Sequence, residues 1–268
     1  MRAGATAVPL QVVFVHGMWS TPRVWDAWRP RFESRGLQTR AIALPGHHGA
    51  DAARLDGLGL ADCVAAIEQQ LVGIEGPVAL VGHSLGGLLT QMVAARRPTD
   101  KPLAAAVLVC SAAPAPVFPQ RPVMWPALTR HFLRWRSWRG AFRLSPWEAD
   151  MLLFNAVPKV QRAALQAGMQ AESGRLAWEV AFGPLNLSGS NRVDAAALRC
   201  PLLAIAGARD HIVPVGVSRA LARLYGKRLD YREYPAHAHW PLAAEPGWEE
   251  RADEVADWLQ AICREDQA

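Results

Sequence analysis

Val78-Ala-Leu-Val-Gly82-His83-Ser84-Leu85-Gly86-Gly87 is an apolar run that ends in a serine framed by glycines. Its first half has the near-continuous Val/Leu/Ala character of a strand buried on both faces. The next stretch carries Leu85, Leu88, Leu89, Met92 and Val93 at the spacing of one helical face. The serine therefore stands between a strand and a helix. Small residues two positions to either side let the two elements approach, so the chain turns tightly at Ser84. The hydroxyl is then held out of the sheet, at the positive end of the following helix. This placement predicts a nucleophile at Ser84.

Working outward, 10–15, 39–44, 105–110, 202–206 and 229–234 read as further strands, most of them near-continuous apolar runs, with helical stretches at about 24–35, 60–72, 85–96, 216–225 and 248–263. Repeated strand–helix alternation predicts an α/β fold with a mostly parallel sheet of about six or more strands. Between 110 and 202 the rhythm breaks. That interval opens with Pro114, Pro116, Pro119, Pro122 and Pro126, turns helix-like, and holds Trp125, Trp135, Trp138, Trp147 and Trp178. So long a stretch predicts a small helical cap. The expected division is a core of 1–113 and 199–268 with a cap over 114–198.

Three more motifs carry chemistry. Phe14-Val-His16-Gly17-Met18-Trp19 follows the leading strand. Leu202-Leu-Ala-Ile-Ala-Gly207-Ala-Arg-Asp210 ends another strand on an acid, at the sheet edge where such folds place their sites. Tyr234-Pro-Ala-His237-Ala-His239-Trp240 precedes Glu245-Pro246. Together with the Ser84 turn, these motifs resemble the α/β-hydrolase superfamily in content and order, over nearly the whole chain. The resemblance implies a serine hydrolase with a nucleophile elbow at Ser84, Asp210 as triad acid and His239 as base. His239 is preferred over its neighbour His237 because it alone stands in the family register, with Ala238 in place of the usual glycine. The resemblance also implies an oxyanion hole from the N–H groups of Met18 and Leu85, with His16 supporting that loop. Leu44-Pro45-Gly46-His47-His48-Gly49 matches the turn after the second strand, and its two histidines read as structural.

A serine elbow excludes the relatives that use aspartate there. The lysine expected of a hydroxynitrile lyase is missing near the base, since Lys101, Lys159 and Lys227 adjoin no motif. Hydrolysis of an ester, thioester or lactone with an apolar acyl or aryl part is the expected function. Perhydrolysis, carbon–carbon bond hydrolysis and acyl transfer share the triad, and a receptor on a hydrolase fold is the non-enzymatic alternative. The expected pocket draws on Trp19, His83, Trp125, Trp135, Trp138, Met151, Phe154, Phe182 and Trp240.

Composition fits a folded domain, with 51% hydrophobic and 20% charged residues in 268. Cys63, Cys110, Cys200 and Cys263 are scattered, without the spacing of a disulfide framework or a zinc site. No metal or organic cofactor is expected, and no nucleic acid. The run at 10–15 is too short and early for a secretory signal, which makes the cytoplasm the expected compartment. Of the net charge of +5, the segment 114–147 alone carries +6, from Arg121, Arg130, Arg134, Arg136, Arg139 and Arg143, leaving −1 for the rest. His131, Trp135, Trp138 and Phe142 would line one face of a helix over 121–143, with Arg136, Arg139 and Arg143 beside them. Such a basic amphipathic helix would favour anionic substrates, a lipid headgroup or an acyl carrier.

Overall fold

The computed structural model describes residues 8–47, 54–134, 136–185 and 188–265. Six strands form one sheet: β1 Gln11–Val15, β2 Gln38–Ile42, β3 Val78–His83, β4 Ala105–Val109, β7 Leu202–Gly207 and β8 Leu229–Tyr234. Their order is β2-β1-β3-β4-β7-β8, and every neighbouring pair is parallel. β3, β4 and β7 are buried at every residue, as their unbroken apolar sequences predict. The edge strands are more polar, with Gln38 and Arg40 exposed on β2 and Asp230 and Arg232 on or near the surface of β8, which discourages pairing with another chain.

Alternation along each strand builds two cores. Val13, Val15, Leu80 and Leu108 face α2 (Leu60–Leu71), α3 (Leu85–Arg96) and α8 (Val215–Tyr225). Val12, Phe14, Val81 and Val107 face α1 (Arg29–Glu33) and α9 (Trp248–Glu265), where Trp25, Trp28 and Phe32 are fully buried. Phe14 anchors that second core, with ring centroids 4.8 Å from Trp25 and 5.1 Å from Phe32. Helix α3 departs from the one-faced pattern read from its sequence: every residue from Leu85 to Ala94 is buried, because it packs on the sheet and under α2 at once. No helix among the described residues is long and apolar enough to cross a membrane.

The long interval between β4 and β7 contains α4 (Trp125–Leu133), α5 (Pro146–Leu152), α6 (Lys159–Ala167) and α7 (Gly174–Ala181). It also holds two short antiparallel strands, β5 (Ala141–Phe142) and β6 (Glu172–Ser173), which the sequence did not signal. The expected amphipathic helix over 121–143 does not form. α4 stops at Leu133, Arg134 turns extended, Arg136 takes a φ of 54°, and Gly140 takes a φ of 72° on the way into β5. Two left-handed residues within five positions end any helical stripe. Of the arginines read as a basic face, Arg143 donates to the Met169 carbonyl at 2.9 Å; Arg130, on the same segment, forks onto Glu148 at 2.5 and 2.7 Å.

β3 and α3 meet where Gly82 and Gly86 face each other. A Cβ on Gly82 would run into the Gly86 carbonyl, and one on Gly86 into the carbonyls of Val15 and His16. These are backbone atoms fixed by the sheet, so relief requires the helix to move. Gly86→Ala is therefore expected to cost more than about 3 kcal/mol in urea denaturation. A loss below about 1 kcal/mol would show that helix and strand separate easily.

Candidate active site

Ser84 follows β3 directly and has φ 54° and ψ −117°, a conformation L-residues rarely adopt. Its N–H donates to Val109 at 3.0 Å, and its carbonyl accepts from Gly87, Leu88 and Ala112 at 3.0–3.3 Å. The strained turn is thus held by four main-chain bonds that reach into α3 and beyond β4. Asp210 lies three residues past β7. Its Oδ1 accepts from the N–H groups of Ile212 (2.9 Å) and Val213 (2.7 Å), which aims Oδ2 at His239. His239 Nδ1 donates to that oxygen at 2.7 Å, with both side chains buried. Nδ1 being engaged, the neutral ring presents Nε2 as its basic nitrogen.

His237 is drawn elsewhere. Glu245, buried, accepts from His237 Nδ1 at 3.2 Å and from the N–H groups of Ala238 (2.9 Å) and Trp240 (2.6 Å). One carboxylate so ties the loop around His239 and holds His237 away from Asp210. The sequence displayed Glu245 in its motif, but not this clamp. His83 supports the same loop from below, donating from Nε2 to the His239 carbonyl at 2.8 Å. Burial, and then the nearby His239, push its pKa well down, so it is a neutral buttress.

Gly17 brings the first-strand loop against the serine: a Cβ there would lie 2.9 Å from Ser84 Cβ. The Leu44 N–H donates to His16 Nε2 at 3.2 Å, so the other ring nitrogen carries the proton and donates to the Gly17 carbonyl at 2.9 Å. That bond fixes the plane of the peptide that ends in the Met18 N–H. The Leu85 N–H is the first of α3, among those a helix leaves without an internal partner.

Residues 12–258 match the alpha/beta hydrolase family profile. A pimeloyl-[acyl-carrier protein] methyl ester esterase of Chromobacterium violaceum is 33% identical, over 86% of this chain and 87% of its own. The chain belongs to the alpha/beta hydrolase family. A pyrethroid hydrolase of Sphingobium wenxiniae is 24% identical over 93% of this chain and 88% of its own. The crystal structure of a monoacylglycerol lipase from Paleococcus ferrophilus aligns with a TM-score of 0.70 at 22% identity, covering 96% of each chain.

In this hydrolase, Ser84, Met18 and Leu85 line one apolar cavity of about 60 Å³ with Trp19, Leu128, Phe132, Phe142 and Val180. Of the residues expected to form the pocket, Trp19 does so. His83 is buried behind His239 and does not reach the cavity. Trp125 (54% exposed) and Trp138 (45% exposed) point outward, Trp138 lying edge-on to Trp178. Phe182 stacks on Trp178 at 4.3 Å, and Phe154 packs edge-on to Trp240 at 5.0 Å. Met151 packs into the second core while its carbonyl holds His211. Trp240 is walled off by His83 and Phe154 and instead borders a second groove of about 670 Å³, which shares Trp19 with the catalytic cavity. Several of the large aromatic side chains thus pack on one another, while Trp19, Phe132 and Phe142 line the cavity. Trp135, like His48, lies outside the described residues.

Cys110, Asp210 and His239 place potential metal-binding atoms within 4.8 Å, the one such group among the described residues. Asp210 and His239 are bound to each other, while burial, then Asp210 and Glu245, hold the Cys110 thiol protonated. A protonated thiol does not ligate a metal, so the three residues fit an acid–base pair with an inert neighbour. His47 pairs with Glu172, in the interval between β4 and β7.

The divergent partners of His237 and His239 set a clear expectation. His239→Gln should lower kcat by a factor of about 10⁴ or more, as loss of a triad member does, whereas His237→Gln should stay within about tenfold of the parent protein. The reverse ranking would assign the base to His237.

Proposed function

We propose that this protein hydrolyses carboxylic esters, or closely related thioesters and lactones, that carry an apolar acyl or aryl part. Two observations carry the reading together: the buried Asp210–His239 bond at 2.7 Å, and a strained serine that opens on an apolar cavity. Ser84 Oγ attacks the carbonyl carbon while His239 Nε2 takes its proton. The negative charge that moves onto the carbonyl oxygen is met by the Met18 and Leu85 N–H groups. Collapse expels the alcohol or thiol, which receives the proton from His239 and leaves an acyl ester on Ser84. Water then attacks that ester with the same base, releasing the carboxylic acid and restoring the serine. The names of the relatives, an ester-cleaving enzyme, a pyrethroid hydrolase and a lipase, support the same reaction class.

Residues 114–198 act as the cap. Met124, Leu128, Phe132, Phe142 and Val180 all come from this segment and close the cavity over the serine. The cavity is small and almost wholly apolar, which favours a compact hydrophobic acyl group over an extended polar one. Arg134, Arg136 and Arg139 are exposed on the same segment. They form the surface on which an anionic carrier of the substrate, an acyl carrier or a lipid headgroup, is met. Each such charge contributes at most about 1 kcal/mol and is screened by salt.

Ser84→Ala is expected to abolish hydrolysis of p-nitrophenyl esters and labelling by a fluorophosphonate while leaving the melting temperature intact, with a loss of about 10⁶ in turnover. A purified variant that keeps more than a few per cent of activity would remove Ser84 from the mechanism. Joint replacement of Arg134, Arg136 and Arg139 by Gln should lower kcat/KM for an anionic ester at low salt and spare a neutral ester of equal acyl length. Equal effects on both would leave these arginines as a solvated surface.

A further inference from the structure

Glu172 stands in β6, far along the chain from every motif, yet it is fully buried. Ester hydrolysis by the triad makes no direct use of it. Its carboxylate accepts from three N–H groups: those of Trp19 (3.2 Å) and Ser173 (2.7 Å), and His47 Nε2 (3.2 Å). Two residues earlier, the Gln170 N–H donates to the Trp19 carbonyl at 2.9 Å. Both polar groups of the Trp19 main chain are therefore held by the segment that forms the cap. Met18 is next in line. Its N–H belongs to the peptide pinned by His16, and its carbonyl accepts from Ser20 Oγ at 3.2 Å. Three successive peptide planes of this loop are fixed, the last two with help from the cap.

His47 completes the arrangement. Its Nδ1 lies 2.9 Å from the Pro45 carbonyl and its Nε2 faces Glu172. A carbonyl and a carboxylate only accept, so both ring nitrogens donate and the ring is a cation. Burial opposes this charge, but the bond to Glu172 and its field outweigh burial and raise the His47 pKa. Titratable groups near the pair include His16, whose ring lies 5.1 Å from His47 and accepts from the Leu44 N–H, and Cys63 of α2, whose thiol burial and Glu172 both push up; Arg23 lines the same groove as His47.

We propose that Glu172 is a positioning residue, which with the His47 imidazolium as counter-ion locks the loop carrying the Met18 oxyanion donor. The cap thereby controls stabilisation of the transition state as well as access to the serine. The inference rests on the ester-hydrolase reading.

Glu172→Gln and His47→Gln test it, each assayed with an activated short-chain ester and with turnover expressed per serine titrated by fluorophosphonate. An oxyanion donor acts on charge that appears only in the transition state, so kcat should fall about tenfold or more in each while KM stays within about twofold. The double variant should lose no more than the worse single one, as expected of residues acting as a unit. Should Glu172→Gln not fold, His47→Gln carries the test, and the parent protein adds a readout of its own. A histidine whose pKa is raised by folding contributes below that pKa and is lost as pH climbs through it. The parent kcat should therefore fall on the alkaline side at constant KM, and this limb should be absent from His47→Gln. Full kcat in folded variants, a rise in KM alone, or an alkaline limb that survives His47→Gln would overturn the proposal. A parent protein inert to esters and to the probe would instead sink the ester-hydrolase reading itself.

Discussion

The left-handed backbone at Ser84 costs on the order of 1–3 kcal/mol in a residue with a side chain, and much of the molecule is arranged so that the chain accepts it. Gly82 and Gly86 remove the two Cβ atoms that would force β3 and α3 apart. Val109 at the end of the neighbouring strand β4, and Ala112 just beyond it, bind the Ser84 main chain. The sheet supplies the rigidity, since strands on either side fix β3 in register and α3 is buried on all faces. A serine in this turn has its hydroxyl lifted clear of the backbone, where a base can approach from another strand end.

The Asp210–His239 pair, the proposed acid and base, then needs only modest local structure. Asp210 is aimed by two backbone N–H groups in its own turn, and His239 is held by Asp210 on its ring and by His83 on its carbonyl. Glu245 closes the loop by binding the residues on both sides of His239. Each of these bonds lies in a dry interior, where an unpartnered group would be expensive. The surroundings of His239 are therefore over-determined, while the cavity at Ser84 is lined almost wholly by apolar side chains.

Legibility in the sequence divides along the same line. All six strands lie within two residues of their expected bounds; β3, β4 and β7, buried on both faces, announce themselves as unbroken apolar runs, and the Gly-x-Ser-x-Gly turn can be read because its steric demand is local. The choice between His237 and His239 rests on motif register, and its geometric counterpart, the Glu245 clamp, involves a residue six positions beyond the base. The cap is far less readable. The aromatic spacing over 131–142 satisfies a helix on paper, but left-handed turns at Arg136 and Gly140 break it. Tryptophans that pack against each other have the same composition as tryptophans that line a pocket. Glu172 gives no signal, because burial of a carboxylate among polar neighbours is decided by tertiary contacts alone.

Trp19 combines two features that pull against each other. Its φ of 56° suits Gly or Asn far better than an indole, yet its main chain is bound at both ends by the cap, independently of what the side chain is. The indole separates the catalytic cavity from the neighbouring groove. Replacement by Gly at this one position would relieve backbone strain and remove the indole between the two spaces, while the main-chain hydrogen bonds of the loop do not depend on the side chain. The fold thus contains a partition that can be removed without dismantling the wall it stands on, a short mutational route from a narrow cavity to a wide one.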